Sequence, residues 1–382
     1  MTDYFADRIK PFKKYAFAEI DRAKGDMSKK MKLVDFGVGD PRIPTPKEIQ
    51  GSLVAGLTEM DAHMYPSYNG NERFRKSAAT YILNRFRTKV DMNSEILTVI
   101  GTKEGIAHLP LAILNPGDKA AYPDPSYPVY KAGIAFAGGE PIIMDLKPEN
   151  NWLPDLKKLP EETKMVWLNY PNNPTGQIAP KSFWEMAVQR AREKKFLLVN
   201  DASYCEIYHQ DKPTGPLAVG GKDVALEFHS LSKSFSMCGW RIGFAVGNSN
   251  VISALGTLKK NIDSGVFTPI QEAGKTALDN CELLIPSIRK LYKRRMNILR
   301  AELENIGLEV CPSPATFYLW VKIPPNFTSE EFAKKLIEEI GIVVLPGSFM
   351  GRNGEGYVRF SLTLSDRDLE LGLQRLRELR LR

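Results

Sequence analysis

Cysteine is scarce in this sequence, and long apolar runs are missing from it. The four cysteines, Cys205, Cys238, Cys281 and Cys311, are widely scattered, with no CxxC pair and no cluster of Cys with His. That pattern excludes a disulfide framework and a zinc site as the basis of the fold. No metal site of another kind is suggested either. The thiols read as reduced residues in or near the core of a cytoplasmic protein. The longest apolar runs, such as HLPLAIL, fall well short of the roughly 20 residues a membrane-spanning helix needs. The first residues, MTDYFADRIKPFKKY, carry charge throughout and lack the apolar stretch of a signal peptide, so neither a membrane span nor export is expected. Tandem repeats, low-complexity tracts and long linkers are absent as well.

What is there is an ordinary globular composition, 382 residues of which 43% are hydrophobic and a quarter charged, enough for one large and one small domain. The net charge of +7 suits nucleic acid or an anionic small molecule and does not separate them. The densest basic run, SIRKLYKRRMNILR, places Ile288, Leu291, Tyr292, Met296 and Leu299 at helical spacing. Its charges are therefore expected largely on the opposite, solvated face of a helix.

The middle of the chain alternates short apolar runs with helical segments, the signature of a parallel sheet covered on both faces. Runs end in turn chemistry at EILTVIGTKEG, DKAAYPDPSY, KMVWLNYPNNPTG, KKFLLVNDASY, ALEFHSLSKS and RIGFAVGN. In the helical segment SFWEMAVQRAREKK, Phe183, Met186, Ala187 and Ala191 share one face. A doubly wound α/β domain is expected over roughly residues 45 to 280. From 281 to 382 the pattern turns α+β, with strand-like TFYLWVKI, IVVLPG and YVRFSLT around the helix SEEFAKKLIEEI and a closing helix that aligns Leu369, Leu373, Leu376 and Leu379. The first forty-four residues suit either domain and are grouped here with the smaller one.

In open parallel sheets ligands bind beyond the carboxyl ends of the strands, so those ends deserve a residue-by-residue reading. After VIG, Thr102 and Lys103 open a helix behind Gly101. Such a turn either cradles an anion on backbone N–H groups or is plain capping by Thr102. In AYPDPSYPVYKAG, Tyr127 and Tyr130 offer either a flat ring to a planar ligand or core packing. Asn173 in NYPNNPTG is a turn residue or a donor to a ligand oxygen. Asp201 follows a five-residue run that would be fully buried in a parallel sheet, and a buried carboxylate needs a partner: a structural cation, a helix cap, or a cationic ligand atom that Tyr204 would also face. In HSLSKSFSMCGWRIG, Lys233 is either a solvated turn lysine or a desolvated amine able to attack carbonyls, with Ser230, Ser232 and Arg241 matched to a phosphate. Taken in order, these groups describe a planar, cationic, phosphorylated ring that bears an aldehyde, which is pyridoxal phosphate.

NPTG at 173 to 176, an aspartate with a tyrosine three residues on, and SxSK followed by GWRIG together resemble the class I/II pyridoxal-phosphate aminotransferases of fold type I, over nearly the whole chain. The resemblance implies an α/β transferase with a large cofactor domain, a small domain and a ping-pong exchange of an amino group between an amino acid and a 2-oxo acid. By that resemblance Lys233 is the catalytic lysine that links to the cofactor and shuttles the substrate α-proton. Asp201 pairs with the ring nitrogen, Asn173 and Tyr204 meet the ring's phenolic oxygen, and Tyr127 stacks on the ring. Thr102, Lys103, Ser230, Ser232 and Arg241 form the phosphate cup. Tyr65 in MYPSYNG reaches the phosphate of the neighbouring subunit, which implies a homodimer with shared sites, and the stretch around Ser264 and Gly265 would cross over too. Arg359 grips the substrate α-carboxylate, which the backbone of Gly39 also meets; the plain alternative for Arg359 is a surface ion pair. The segment DFGVGDPRIPTP lacks the third glycine of a dinucleotide fingerprint, so an NAD site gains nothing.

Within the family, KKYAFAEIDRAK, GTKEGIAHLPLAILNPGD and EFHSLSKSFSMCGWRIGFAVGN look most like the LL-diaminopimelate aminotransferase group. That likeness implies LL-diaminopimelate and 2-oxoglutarate as substrates, lysine biosynthesis as the setting, and Tyr15 as a substrate contact. Aminotransferases for alanine, aspartate or aromatic amino acids share all the motifs, as do pyridoxal-phosphate β-lyases. A regulator on the same fold would need an added DNA-binding domain that this chain has no room for.

Overall fold

The structure, a computed structural model, describes residues 4–12 and 18–380. A 3-10 turn at Asp7–Phe12 and helix α1 (Ala18–Ser28) come first. The two-residue strand β1 (Val34–Asp35) and helices α2 (Lys47–Gly56) and α3 (Glu72–Phe86) follow. The next seven strands, β2 (Ile96–Val99), β3 (Lys119–Asp124), β4 (Glu140–Asp145), β5 (Thr163–Leu168), β6 (Leu197–Asp201), β7 (Ala225–Ser230) and β8 (Gly243–Gly247), form one sheet in the order β2-β8-β7-β6-β5-β3-β4. All are parallel except β8, which runs antiparallel to both β2 and β7. Helices α4 (Thr102–Ile113), α5 (Val129–Phe136), α6 (Lys181–Lys194), α7 (Leu231–Ser234), α8 (Ser249–Lys260) and α9 (Thr268–Asp279) are interleaved with them.

Successive strand residues enter different cores, because side chains alternate across a sheet. Leu198 and Ala225 join one apolar cluster, whereas Val199 and Leu226 join the other. Both faces are therefore covered, and the strands can be apolar throughout. Helix α6 buries Phe183, Ala187 and Ala191 as its spacing predicts, but it also buries Trp184 and Val188, and leaves Met186 at the edge of the core.

The long helix α10 (Cys281–Asn305) leads into strands β9 (Glu309–Val310) and β10 (Tyr318–Lys322), helix α11 (Ser329–Ile340), strands β11 (Ile342–Val343), β12 (Leu345–Pro346) and β13 (Tyr357–Ser361), and helix α12 (Asp366–Leu376). Four of these strands make an antiparallel sheet, β12-β13-β10-β9. One charge of the basic helix departs from expectation: Arg295 is buried and donates to Asp366 and to the Leu362 carbonyl. A guanidinium can enter the core when its fork is fully partnered. The early residues touch both units, with β1 pairing in parallel with β11 while Phe12 packs edge-on against Phe136 of α5 at 5.2 Å. Among the described residues no helix is long and apolar enough to cross a membrane.

Candidate active site

The carboxyl ends of β3, β5, β6 and β7 open into a cavity of about 390 Å3. Twelve of the residues singled out from the sequence line it: Gly39, Thr102, Lys103, Tyr127, Asn173, Asp201, Tyr204, Ser230, Ser232, Lys233, Arg241 and Arg359. Tyr65 is not among them; it stands 89% exposed on the surface. Tyr15 lies outside the described residues.

Asp201 ends β6 and is 5% exposed. It accepts hydrogen bonds from Tyr130 Oη at 2.7 Å, Ser203 Oγ at 2.6 Å and Ser203 N at 3.1 Å. Among the described residues no lysine, arginine or histidine lies within ion-pair distance of it. Burial pushes its carboxyl above the ordinary range, and the Ser203 and Tyr130 donors only partly oppose the shift. A carboxylate buried this way is left ready for a cation.

Lys233 leaves β7 on the one-turn helix α7, whose N-cap, Ser230, accepts from Ser232 N at 3.2 Å. Its Nζ is half-buried, donates to the Gly39 carbonyl at 2.6 Å and lies 3.7 Å from Cys238 Sγ. Burial pushes the Cys238 thiol up to about 11, so it stays protonated beside the amine.

The cavity wall formed by the start of α4 suits an anion. Helix α4 begins behind Gly101 with no side-chain cap, and the Thr102 hydroxyl turns instead toward Ser203 Oγ at 3.2 Å. Gly101 has φ +72°, and a Cβ there would stand 2.3 Å from Arg241 Nη2. The glycine thus lets the guanidinium close over the start of the helix. Arg241 itself adopts a left-handed φ of 59° and is held by the Cys238 carbonyl at 2.7 Å. Lys103 supplies a second cation at the rim.

Arg359, at the centre of β13, is 6% exposed, and among the described residues no carboxylate pairs with it, so the surface ion pair is not what this position holds. Its Nη1 donates to Asn173 Oδ1 at 2.6 Å and its Nη2 to the Gly37 carbonyl at 2.8 Å. It lies 4.0 Å from the centre of the Tyr318 ring, and its buried Nε has no partner. Tyr318 was not legible in the run FYLW, which reads only as a strand. Its hydroxyl meets that of Tyr204 at 3.0 Å, and it leaves no room for a Cβ on Gly39, which would come within 2.1 Å. Ser203 and Cys238 were also missed, although Ser203 sits between two residues that were chosen. Tyr130 proves to be both core and site, stacked on Trp167 at 5.2 Å while its hydroxyl holds Asp201.

On the other face of the sheet a buried polar network backs the turn that carries Asp201 and Tyr204. Tyr81 and Arg85 of α3 both reach Glu206 Oε1, at 2.6 and 2.8 Å. His229 lies between Glu227, at 2.9 Å, and the Cys205 thiol, at 3.6 Å. Burial acts to lower the imidazole's pKa, but the bonds with Cys205 and Glu227 outweigh it and push it up to about 9.

A strand-end cavity that holds a lysine amine, a buried carboxylate without an ion-pair partner among the described residues and an anion cradle defines a site for a cationic, phosphorylated carbonyl cofactor. The chain belongs to the aminotransferase class I and II family, whose model matches residues 31–376. It is 47% identical to the LL-diaminopimelate aminotransferase of Aquifex aeolicus (strain VF5), with 99% of each chain covered. It is 43% identical to that of Syntrophobacter fumaroxidans (strain DSM 10017 / MPOB), with 98% of each covered. Among solved structures it resembles substrate-bound BacF from Bacillus subtilis, with a TM-score of 0.93 at 32% identity over 99% of this chain and 98% of that one. It also resembles a Thermus thermophilus aspartate aminotransferase double mutant, with a TM-score of 0.92 at 27% identity over 99% and 100%. Like its family, it is a pyridoxal-phosphate-dependent transaminase of fold type I. The residues present fit that cofactor, since Asp201 lacks a cation and Gly101 opens a cradle that a Cβ would fill.

Proposed function

We propose that this enzyme transfers the amino group of LL-diaminopimelate to 2-oxoglutarate, in either direction, as an aminotransferase of lysine biosynthesis. What supports the chemistry is one juxtaposition: an uncompensated buried Asp201, the Lys233 amine and the Gly101–Arg241 cradle share one cavity. What supports the substrate is full-length identity of 40 to 47% to relatives named for it.

When bound, pyridoxal phosphate supplies an electron sink for negative charge at the substrate α-carbon. Asp201 would face the ring nitrogen and hold it protonated, which would keep that sink open. Thr102, Lys103, Ser230, Ser232 and Arg241 hold the phosphate, and Tyr127 covers the ring. Asn173 and Tyr204 donate to the phenolic oxygen, with Tyr204 oriented by Tyr318. Arg359 binds the α-carboxylate, beside the backbone of Gly39, so that the α-hydrogen faces Lys233. The Lys233 Nζ would hold the cofactor's carbonyl carbon in the resting enzyme and would take and return the substrate α-proton, a role served by its half-buried setting.

The working form is a homodimer. Tyr65, Met60, Met64, Val54 and Leu57, all more than half exposed, form an apolar strip suited to a second copy, from which Tyr65 reaches the partner's phosphate. The four cysteines are free, which supports the reducing cytoplasm as its compartment.

Purified protein reconstituted with pyridoxal phosphate is expected to show the visible band of lysine-bound cofactor. Lys233→Ala is expected to bind cofactor without that band and to lose turnover. In single half-reactions, LL-diaminopimelate should bleach the band and 2-oxoglutarate should restore it. Bleaching by alanine, aspartate or an aromatic amino acid, with LL-diaminopimelate inert, would refute the substrate while leaving the chemistry standing.

A further inference from the structure

Directly behind the phosphate end lies an ion cluster that the mechanism does not use. Glu104, His108 and Asp263 bring three ligand-type atoms within 4.8 Å of one another, yet the cationic position is taken by a lysine. The Lys259 side chain is 0% exposed, and its ammonium lies 2.8 Å from Asp263 and 3.3 Å from Glu104. A fully buried lysine is costly unless its charge is met on several sides, and here the partners come from two separate segments.

The first segment is the start of α4. Glu104 follows Thr102 and Lys103 directly, and its carboxylate accepts from the Ile100 amide at 2.9 Å and faces His108 Nδ1 at 2.7 Å. Burial opposes its ionisation, but His108, Lys259 and the Ile100 amide outweigh burial and hold the carboxyl below its ordinary value. The second segment is the loop after α8. Asp263 accepts from the Gly265 amide at 2.8 Å. Gly265, at φ +90°, packs so closely on the chain at Pro66 and Ser67 that a Cβ would come within 2.9 Å of the Ser67 carbonyl. The buried Gln271 adds a clamp, donating to the Val266 carbonyl and accepting from the Asn71 amide, each at 2.5 Å. Tyr65, the last residue of the apolar strip, directly precedes the segment held this way.

We propose that Lys259 is a positioning residue that ties the phosphate end of its own subunit's site to the Tyr65 strip serving the partner's site. The proposal rests on the reading that Tyr65 reaches the partner's phosphate. Through Glu104, Lys259 fixes the uncapped amides of α4; through Asp263 and Gly265 it fixes the base of the Tyr65 strip. One buried ammonium thereby sets phosphate retention in both sites of the dimer.

The test is cofactor release from the holoenzyme, followed by loss of the visible band on dilution into apo-acceptor, together with the 31P resonance of the bound phosphate. In Lys259→Met, release is expected to quicken by about tenfold, the lower end of what losing an outer supporting partner costs a bound group, with a shifted phosphate signal. Mixed dimers carrying Lys233→Ala in one subunit leave a single site able to link covalently. Lys259→Met in either subunit should speed release from that site. Acceleration from one placement only, or from neither, would overturn the proposal. Tyr65→Phe in the same assay separates the two layers. If it leaves release unchanged, the shared-site reading fails and this proposal with it; if it speeds release while Lys259→Met does not, only the proposal fails. Should Lys259→Met not fold, Asp263→Asn replaces it with the same expectations, since it removes the loop-side charge and keeps the side chain's shape.

Discussion

At the scale of single residues, the site is built from groups whose burial is unresolved until a ligand arrives. Asp201 is the plainest case, because its carboxyl is held above the ordinary range by burial. A carboxyl whose folded pKa is raised costs stability that begins to be lost above its ordinary value and is fully lost once pH has passed the folded value. Asp201→Asn is therefore expected to raise the melting temperature of the apo-enzyme at neutral pH while shrinking the gain on adding pyridoxal phosphate, both read by calorimetry. Arg359 has three donors at work or in reserve: two bonds fix its plane, and its Nε is unpartnered. Arg359→Lys keeps the charge and loses the fork. A loss of roughly 1.5–3 kcal/mol, the worth of a hydrogen bond to a charged group, should appear as a tenfold or larger rise in KM for every amino-acid substrate. The visible band should persist, since that variant leaves Lys233 and the phosphate cradle in place.

Elements place these residues, and their ends matter more than their lengths. Helix α4 delivers an anion cradle because its N-cap is a glycine with no side chain to fill the space. Gly101→Ala puts a Cβ in the left-handed region, at a cost of roughly 1–2 kcal/mol, and drives it into the Arg241 guanidinium. Affinity for pyridoxal phosphate, titrated by absorbance, is expected to fall more than thermal stability does. Strand β7 makes a different kind of contribution, using its two faces for two tasks. Ser230 at its end faces the cavity, whereas Glu227 and His229 pair on the opposite side, where His229 also meets Cys205. Alternation along one strand thus couples the cofactor pocket to a buried polar network beneath it.

At the scale of the molecule, that network sets a pH limit on the fold. The imidazole of His229 is raised from 6.5 to about 9 in the folded state. The folded state binds this proton more tightly than the unfolded chain, so the stabilisation is full below about 6.5 and is lost as pH climbs through about 9. Melting temperature is expected to decline over that window in the wild-type protein. His229→Gln should flatten the decline while lowering the temperature overall.

The sequence by itself determined the class of the fold and the roll of the site. Apolar runs that end in turn residues mark buried parallel strands, and chemistry-bearing residues at those ends are local facts that survive any packing. Asp201, Lys233 and Asn173 were legible for that reason. The antiparallel course of β8 was not, since an apolar run reads the same in either direction. Arg295 was assigned to a solvated face because helical periodicity cannot reveal a distant Asp366. Tyr318 hid inside a strand for the same reason. Its role depends on Arg359 and Gly39, which only folding brings beside it. Tertiary structure alone decided which charges lack partners, because pairing is a property of neighbours in space. The sequence around Asp201 and around Lys259 does not tell which of the two charges is paired. Folding left the first without an ion-pair partner among the described residues and set the second between Glu104 and Asp263.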